Sequence, residues 1–445
     1  MRERGAPLDG PLDLRDWFPP VETADWLAVI ERDLKGADYE SRLVWQTDEG
    51  IAVQPFHRAG GSPAVAPALG RSTTTPPISA ETPPDAIRGD LLHDAGADAV
   101  QELAWSLADL VERLHRARTA GTPFDVAAGG ITLAFGIGSA YFVEIAKLRA
   151  ARLLWANVVA AFVGEDAVPP VRIHARTSRT NTGVYDTPTN LLRVTTEAMA
   201  AVIGGADGLE VEAHGFAPHL ADNVPRILIE EAHLAAAPDA AAGSWFIEWL
   251  TDVLARKAWA HFQTIESAGG YTTAVEAGML SCEVQATRDA RIRAVATRRR
   301  TLVGVNDYPD LTPSGLPRRS AESAKAGRCP VPDARCPAED ALEPLRLAAP
   351  FEAIRARTER HAASTGRTPV VHLLTRIGDR RSRARAVFYL NLLGCAGMAI
   401  TQGDALPERA DLVILCSVDT DVHLDMPLDA VTTLTAWQDR LGMAP

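Results

Sequence analysis

The 445-residue chain is poor in cysteine, in positive charge and in long apolar runs. Its five cysteines, Cys282, Cys329, Cys336, Cys395 and Cys416, are too scattered for a disulfide framework. The odd count, and a start (MRERGAPLDG) with no apolar core behind its charges, lead us to expect a cytoplasmic protein with free thiols. Cys329 and Cys336 have six residues between them, and zinc takes tighter pairs and two further ligands, so no metal site is expected. A net charge of −12 excludes a nucleic-acid binder that relies on bulk positive charge. Any anion site would need a local basic patch. The longest apolar stretch, LLWANVVAAFVG (153–164), is too short to span a bilayer and contains Asn157. The rest is ordinary for a globular protein, 47% hydrophobic and 23% charged, and long enough for two or three domains of roughly 100–200 residues.

Residues 1–57 read as an N-terminal arm. Trp26, Leu27, Ile30 and Leu34 share one helical stripe, Gly36 stops the helix, and LVWQTDEGIAVQPF is two short extended runs about an Asp48-Glu49-Gly50 turn. Residues 58–86 carry six prolines and few bulky apolar groups, as a linker does. A strand-helix rhythm then runs to residue 305. Strands are expected at 86–92, 130–138, 171–177 and 208–214, and helices at 95–117, 139–163, 188–204 and 245–267. Ser244 is the expected cap of the last helix and Gly269-Gly270 its stop. Such alternation gives parallel strands with right-handed crossovers. Eight prolines within 306–350 mark a second linker, followed by a helix to about 365. The pattern restarts over 366–445, with strands at 368–375 and 410–418 and helices at 381–397 and near 428–441.

Several blocks, in order, resemble the small subunits of the adenosylcobalamin-dependent methylmalonyl-CoA mutase family. They are DLKGADYESRLVWQTDEGIAVQPF (33–56), HDAGADAVQELAWSLADLVERL (93–114), GSAYFVEIAKLRAARLLWANVV (138–159), RIHARTSRTN (172–181), TTEAMAAVIGGADGLEVE (195–212), AAAGSWFIEWLTDVLARKAWAHFQTIESAGGY (240–271) and LVGVNDYP (302–309). The resemblance implies an arm, a (β/α) barrel around acyl-CoA and a flavodoxin-like cobalamin domain. It also implies a heterodimer with a large catalytic subunit that holds the adenosylcobalamin. A barrel takes eight strands and about 250 residues. The four strands here match the second half of the family's barrel, and the first four do not fit in 58–86. The expected fold is therefore α/β: a partial TIM-type barrel, second half only, with an N-terminal arm and a trimmed Rossmann/flavodoxin-like C-terminal domain. An open half of this kind is expected to show an apolar inner face and an unpaired edge.

The family's catalytic positions carry over poorly. The cobalt-ligating histidine falls in TRIGDRRSRARA (375–386), which has none, and arginine offers no lone pair to a metal. The tyrosine-histidine pair aligns with Asp90 and Leu91. His93 lies two residues on, which in a strand is roughly 7 Å away on the same face. The substrate-contacting glutamine aligns with Arg176, and HARTSR with Arg176 and Arg179 is similar to small subunits. No catalytic residue, no metal ligand and no cofactor bound by this chain are therefore expected. His93, Asp94, Arg172, His174 and Arg176 are the candidate relics of a substrate- or cofactor-facing surface.

Each candidate has a plainer reading. Asp94 would cap a helix starting near Ala95, leaving His93 as polar loop. Arg172, His174 and Arg176 alternate onto one face of a strand, where they could hold CoA phosphates or pair with carboxylates such as Asp186 or Glu197. Gly136-x-Gly138 lacks the third glycine of a dinucleotide loop, where Tyr141 stands. Arg298-Arg299-Arg300 and the basic run 380–385 read as solvated helix faces, and Trp245, Phe246, Trp249 and Trp259 as core or interface aromatics. The leading expectation is a non-catalytic small subunit. The alternatives are a divergent acyl-CoA mutase barrel active with a separate cobalamin-binding chain, and a partnerless relic.

Overall fold

A computed structural model describes residues 21–58, 81–311, 343–376, 378–416 and 428–444. Cys329, Cys336 and most of both proline-rich stretches lie outside the described residues. The chain divides into two compact units, Met1–His57 and Arg58–Pro445.

In the first unit, α1 (Thr23–Leu34) ends at Lys35 in the left-handed region, one residue before Gly36. Asp38 caps α2 (Tyr39–Leu43) by accepting from the Ser41 amide at 2.8 Å. The two extended runs form an antiparallel pair, β1 (Trp45–Gln46) with β2 (Ala52–Val53), with Gly50 supplying the positive φ of the turn. Trp26 and Phe56 meet at 5.6 Å between ring centroids, although no residue of α1 is buried.

The second unit holds a four-stranded and a three-stranded parallel sheet among its described residues. Its α/β character is as expected. The first strand is not: β3 covers only Ile87–Arg88, and GDLLHDA forms helix α3 (Gly89–Ala95). Two adjacent leucines within seven residues fit either period, and here the helix prevails. The chain continues through α4 (Ala99–Thr119), α5 (Phe124–Gly130), β4 (Thr132–Ile137), α6 (Tyr141–Val163), β5 (Arg172–Thr177), α7 (Thr187–Ile203) and β6 (Gly208–Glu210). Then come α8 (Pro218–Arg226), a π-helical turn over Ile227–Glu231, α9 (Trp245–Ser267), α10 (Gly270–Glu276) and α11 (Met279–Ala296). Strand order is β3-β4-β5-β6.

The register explains the two faces of this sheet. Ile87 pairs with Leu133 and Leu133 with Ile173, while Phe135 pairs with Ala175 and Ala175 with Leu209. These rows are buried and apolar. The alternate rows are Arg88-Ala134-His174-Gly208 and Gly136-Arg176-Glu210. That face is built from small and charged residues, so the expected apolar inner face is absent. The outer strands are two and three residues long, which keeps the unpaired edges short.

Helix α6 is buried nearly all round and carries three buried cations, Lys147, Arg149 and Arg152. Each is matched: Lys147 by Glu102 and Glu144, Arg149 by Asp239 and Glu248, and Arg152 by Asp207 at 2.8 Å. A buried cation without such partners would be too costly to keep.

The C-terminal part comprises α12 (Ala349–Thr365), β7 (Val370–Leu374), α13 (Arg380–Cys395), β8 (Ala399–Gly403), β9 (Leu412–Leu415) and α14 (Ala430–Arg440), with strand order β8-β7-β9. Val371 and Leu373 share a core with Phe351, Leu392 and Leu434. Leu302, Val305, Leu345 and Leu347 enter the same core. The Leu345 amide donates to the Asp94 carbonyl at 2.6 Å and the Leu347 amide to the Thr180 carbonyl at 2.9 Å, so this segment ties the two sheets together.

Candidate functional site

Ligand sites in parallel α/β folds lie at the carboxyl ends of the strands. Here those ends carry Gly136-Ile137-Gly138 at the close of β4 and Thr177-Ser178-Arg179 at the close of β5, faced by α3. Two polar clusters occupy this region.

The first is centred on Arg176, which is 3% exposed. Its Nε donates to Asp90 Oδ2 at 3.0 Å, its Nη2 to Asp94 Oδ2 at 2.6 Å and its Nη1 to Glu212 Oε1 at 3.1 Å. Arg88 grips Asp90 from the other side with two bonds of 2.7 Å, and Arg179 Nε donates to Glu212 Oε2 at 2.7 Å. Burial works against the charge of Arg176, but Asp94, Asp90 and Glu212 outweigh it and raise its pKa. Burial would likewise raise Asp90, yet Arg88 and Arg176 hold it below the usual carboxylate range. Three guanidinium groups are thus spent on three carboxylates of the same chain. The arginine is ion-paired as the plainer reading had it, but with Asp90, Asp94 and Glu212 instead of Asp186 or Glu197.

The second cluster starts at His93. His93 and Asp94 lie inside α3 and are buried, so neither is loop and Asp94 caps nothing. The cap of the next helix is Asp98, whose side chain accepts from the Gln101 amide while Gln101 reaches back to the Asp98 amide. His93 packs against Gly136, where an added Cβ would come within 2.4 Å of its Cγ and 2.6 Å of its Cβ, so only glycine fits there. Its Nε2 is 2.9 Å from Ser178 Oγ and its Nδ1 is 3.6 Å from Glu102 Oε2. Glu102 accepts from the Gly136 amide at 2.8 Å and from Lys147 Nζ at 2.6 Å. Burial, with Lys147 nearby, lowers the His93 pKa to about 4, so the ring is neutral at pH 7. Burial pushes Glu102 up to about 7 in spite of Lys147. Behind Ser178, Glu197 accepts from the Ser178 amide at 3.1 Å and from Asn181 Nδ2 at 2.7 Å, and burial pushes it up to about 8.

A serine, a histidine and a carboxylate in this order resemble a hydrolytic triad. Here the serine hydroxyl is wholly buried and also bonded to Thr180 Oγ1 at 2.8 Å, and Lys147 holds the acid. A nucleophile no substrate can reach does no acyl transfer. The arrangement is internal packing.

The other candidates part company. His174 is buried, its Nδ1 3.3 Å from Thr82 Oγ1, and Thr82 in turn donates to Glu210 Oε2 at 2.9 Å. The segment before β3 therefore crosses the polar face of the sheet. Arg172 is exposed at the opposite end of β5, 3.4 Å from the Gly129 carbonyl, and joins neither cluster. Sequence reading missed Glu102, Glu144 and Lys147 as a unit. The signal was available: charged residues within otherwise apolar helices.

At the β7–α13 turn, Asp379 caps α13 by accepting from the Arg381 amide at 2.9 Å, and the Arg376 amide donates to Ser382 Oγ at 3.0 Å. The donors here are arginines, which carry no lone pair for cobalt. The nearby His372 is buried in β7 with Nδ1 2.8 Å from Thr401 Oγ1. These residues do not fit a cobalamin held through a histidine.

Residues 82–328 match the family model described as methylmalonyl-CoA mutase. The chain belongs to the methylmalonyl-CoA mutase family. It is 37% identical over 355 residues to the methylmalonyl-CoA mutase small subunit of Porphyromonas gingivalis, covering 74% of this chain and 55% of that protein. It is 32% identical over 403 residues to the small subunit of Streptomyces virginiae, covering 79% of this chain and 63% of that protein. The methylmalonyl-CoA mutase of Rhizobium meliloti is 37% identical over 231 residues, 50% of this chain and 32% of that protein. The chain thus spans a little over half the length of the curated small-subunit relatives it matches. No helix among the described residues is long and apolar enough to cross a membrane.

Proposed function

We propose that this chain is a non-catalytic small subunit of an adenosylcobalamin-dependent methylmalonyl-CoA mutase, which interconverts methylmalonyl-CoA and succinyl-CoA in the cytoplasm during propionate metabolism. It pairs as a heterodimer with a large subunit that holds the cofactor and the acyl-CoA, and it stabilises that subunit. In this reading the four-stranded sheet is the second half of a mutase barrel, and the three-stranded sheet is a trimmed cobalamin-binding domain.

The observation that carries the reading is the Arg176 cluster. At the carboxyl end of β5 a mutase needs open space and an available polar group for its substrate. This chain fills that place with a guanidinium bound to Asp90, Asp94 and Glu212. The absence of histidine from 375–386 supports the same conclusion for the cofactor. A mutase reaction needs both a held cobalamin and a substrate-facing acid or base, and neither is supplied by the residues at these two places.

The test is an activity assay with methylmalonyl-CoA and adenosylcobalamin, run on this chain alone, on the large subunit alone and on the mixture. We expect no turnover by this chain and a longer-lived activity in the mixture than in the large subunit alone. Turnover by the isolated chain would overturn the non-catalytic role.

A further inference from the structure

Residues 343–348 form a short strap with no helix or strand of its own, leading into α12 at Ala349. Leu345, Leu347 and Ala348 are buried. The two amide bonds of the strap fall on members of the two polar clusters. The Leu345 amide donates to the carbonyl of Asp94, whose side chain holds Arg176. The Leu347 amide donates to the carbonyl of Thr180, whose Oγ1 lies 2.8 Å from Ser178 Oγ, the partner of His93.

Helix α3 depends on such help. Seven residues are too few for a helix to persist alone, and its last carbonyls need partners from outside. Leu345 meets that of Asp94, Arg288 Nη1 that of Ala95 at 3.4 Å, and Arg291 Nη1 that of Gly96 at 3.2 Å. Arg288 also donates to the Glu343 carbonyl at 2.6 Å, which fastens the strap to α11. A Cβ added at Gly96 would come within 3.1 Å of Leu345, so strap and helix end are in direct contact.

The β5–α7 loop is gripped from α12. Glu352 accepts from the Val184 amide at 2.8 Å and from Arg346 Nη2 at 2.9 Å, and the Tyr185 hydroxyl donates to Glu359 at 3.1 Å. The Arg355 guanidinium lies 4.4 Å from the centre of the Tyr185 ring. Leu345, Leu347 and Phe351 are seated in the core of the three-stranded sheet, with Val371, Leu392 and Leu434.

We propose that residues 343–348 are a latch: seated by the core of the three-stranded sheet, they hold α3 and the β5–α7 loop closed over the Arg176 and His93 clusters. The C-terminal part, whose β7–α13 turn offers no histidine to cobalt, serves as the anchor of this latch. The latch works within one chain, whether or not a large subunit is bound.

Hydrogen exchange followed by mass spectrometry on the full chain tests the proposal. Peptides over 89–97 and 178–185 report on the latched elements, and peptides over α4 and α9 report on the body of the same sheet's helices. Leu434→Ala removes a buried side chain from α14 and touches neither latched element. We expect it to speed exchange over 89–97 and 178–185 at least about tenfold, with the slow exchange of α4 and α9 kept. Leu345→Ala with Leu347→Ala should act in the same direction and more strongly. The milder Leu347→Val, with a smaller effect of the same pattern, serves where the double variant does not fold. Exchange over 89–97 and 178–185 unchanged by Leu434→Ala would overturn the proposal, because the two sheets would then open independently. A rise as large in α4 and α9 would overturn it too, because the chain would then open only as a whole.

Discussion

Replacing Glu197 by glutamine should free the protein from a stability loss that sets in as the medium turns alkaline. Burial pushes the Glu197 carboxyl from its ordinary 4.5 up to about 8. The unfolded chain releases this proton near 4.5, whereas the folded chain keeps it to about 8. The stability it contributes is therefore whole below 4.5, declines as pH rises and is gone above 8. At 1.36 kcal/mol per pH unit the ceiling is about 5 kcal/mol, and relaxation of the site brings the expected figure to roughly 2–4 kcal/mol. Glutamine keeps the shape and removes the proton. Its carbonyl can take the Ser178 amide, and its NH₂ can donate to Asn181 Oδ1 once that amide turns over. Asn181 Oδ1 is buried with no hydrogen-bond partner in wild type. Urea unfolding at pH 5 and pH 8 reads the effect directly. His93 and Glu102 titrate in both proteins and cancel in the difference. Glu197→Gln should gain roughly 2–4 kcal/mol on wild type between the two pH values. Parallel pH slopes for the two proteins would refute a neutral buried acid at 197.

Two further predictions concern the clusters at the strand ends. Arg176→Met leaves Asp90, Asp94 and Glu212 facing one another in the interior and should cost about 3–5 kcal/mol in thermal unfolding. Adding Asp94→Asn should recover part of that; a silent Arg176→Met would mean that the ion pairs are not as drawn. Gly136→Ala drives a methyl against the His93 ring and Cβ and should cost roughly 1–3 kcal/mol, most of it relieved when His93→Gly, which removes both, is present in the same chain. Strict additivity of the two changes would contradict their contact.

The strand-helix rhythm was legible because its apolar runs are long and bounded by glycine or proline. Helix α9 matches its expected bounds, although Ser244 makes no side-chain cap bond. The short elements were harder. GDLLHDA fits either period, and α10 is seven residues long. α11 carries five charged side chains over 18 residues with no clean apolar stripe; only a helix ending at Arg298-Arg299-Arg300 was expected, and α11 stops before them at Ala296. Alternation placed Arg172, His174 and Arg176 on one face of β5. It could not say that Arg176 meets Asp90 and Asp94, which lie 86 and 82 residues away along the chain. The same limit hid the character of the sheet's polar face. Ala134, Gly136 and Gly208 look like weak strand residues until His93 and His174 are seen lying over the glycines.

This also changes what a partner would have to do. An exposed apolar half barrel would need covering by another chain, whereas a face of small residues and matched charges is satisfied within this one. The two- and three-residue outer strands offer little edge for another sheet to extend. Any stabilising role is thus expected to run through other surfaces than a shared barrel wall.

On the proposed function, this chain acts by association with a large mutase subunit. The most direct measurement is co-expression of the two chains with a tag on this one, followed by sedimentation analysis of what is recovered. A stable one-to-one complex is expected, in which the large subunit resists heat inactivation longer than it does alone. Recovery of this chain by itself, as a soluble monomer that leaves the large subunit's lifetime unchanged, would contradict it.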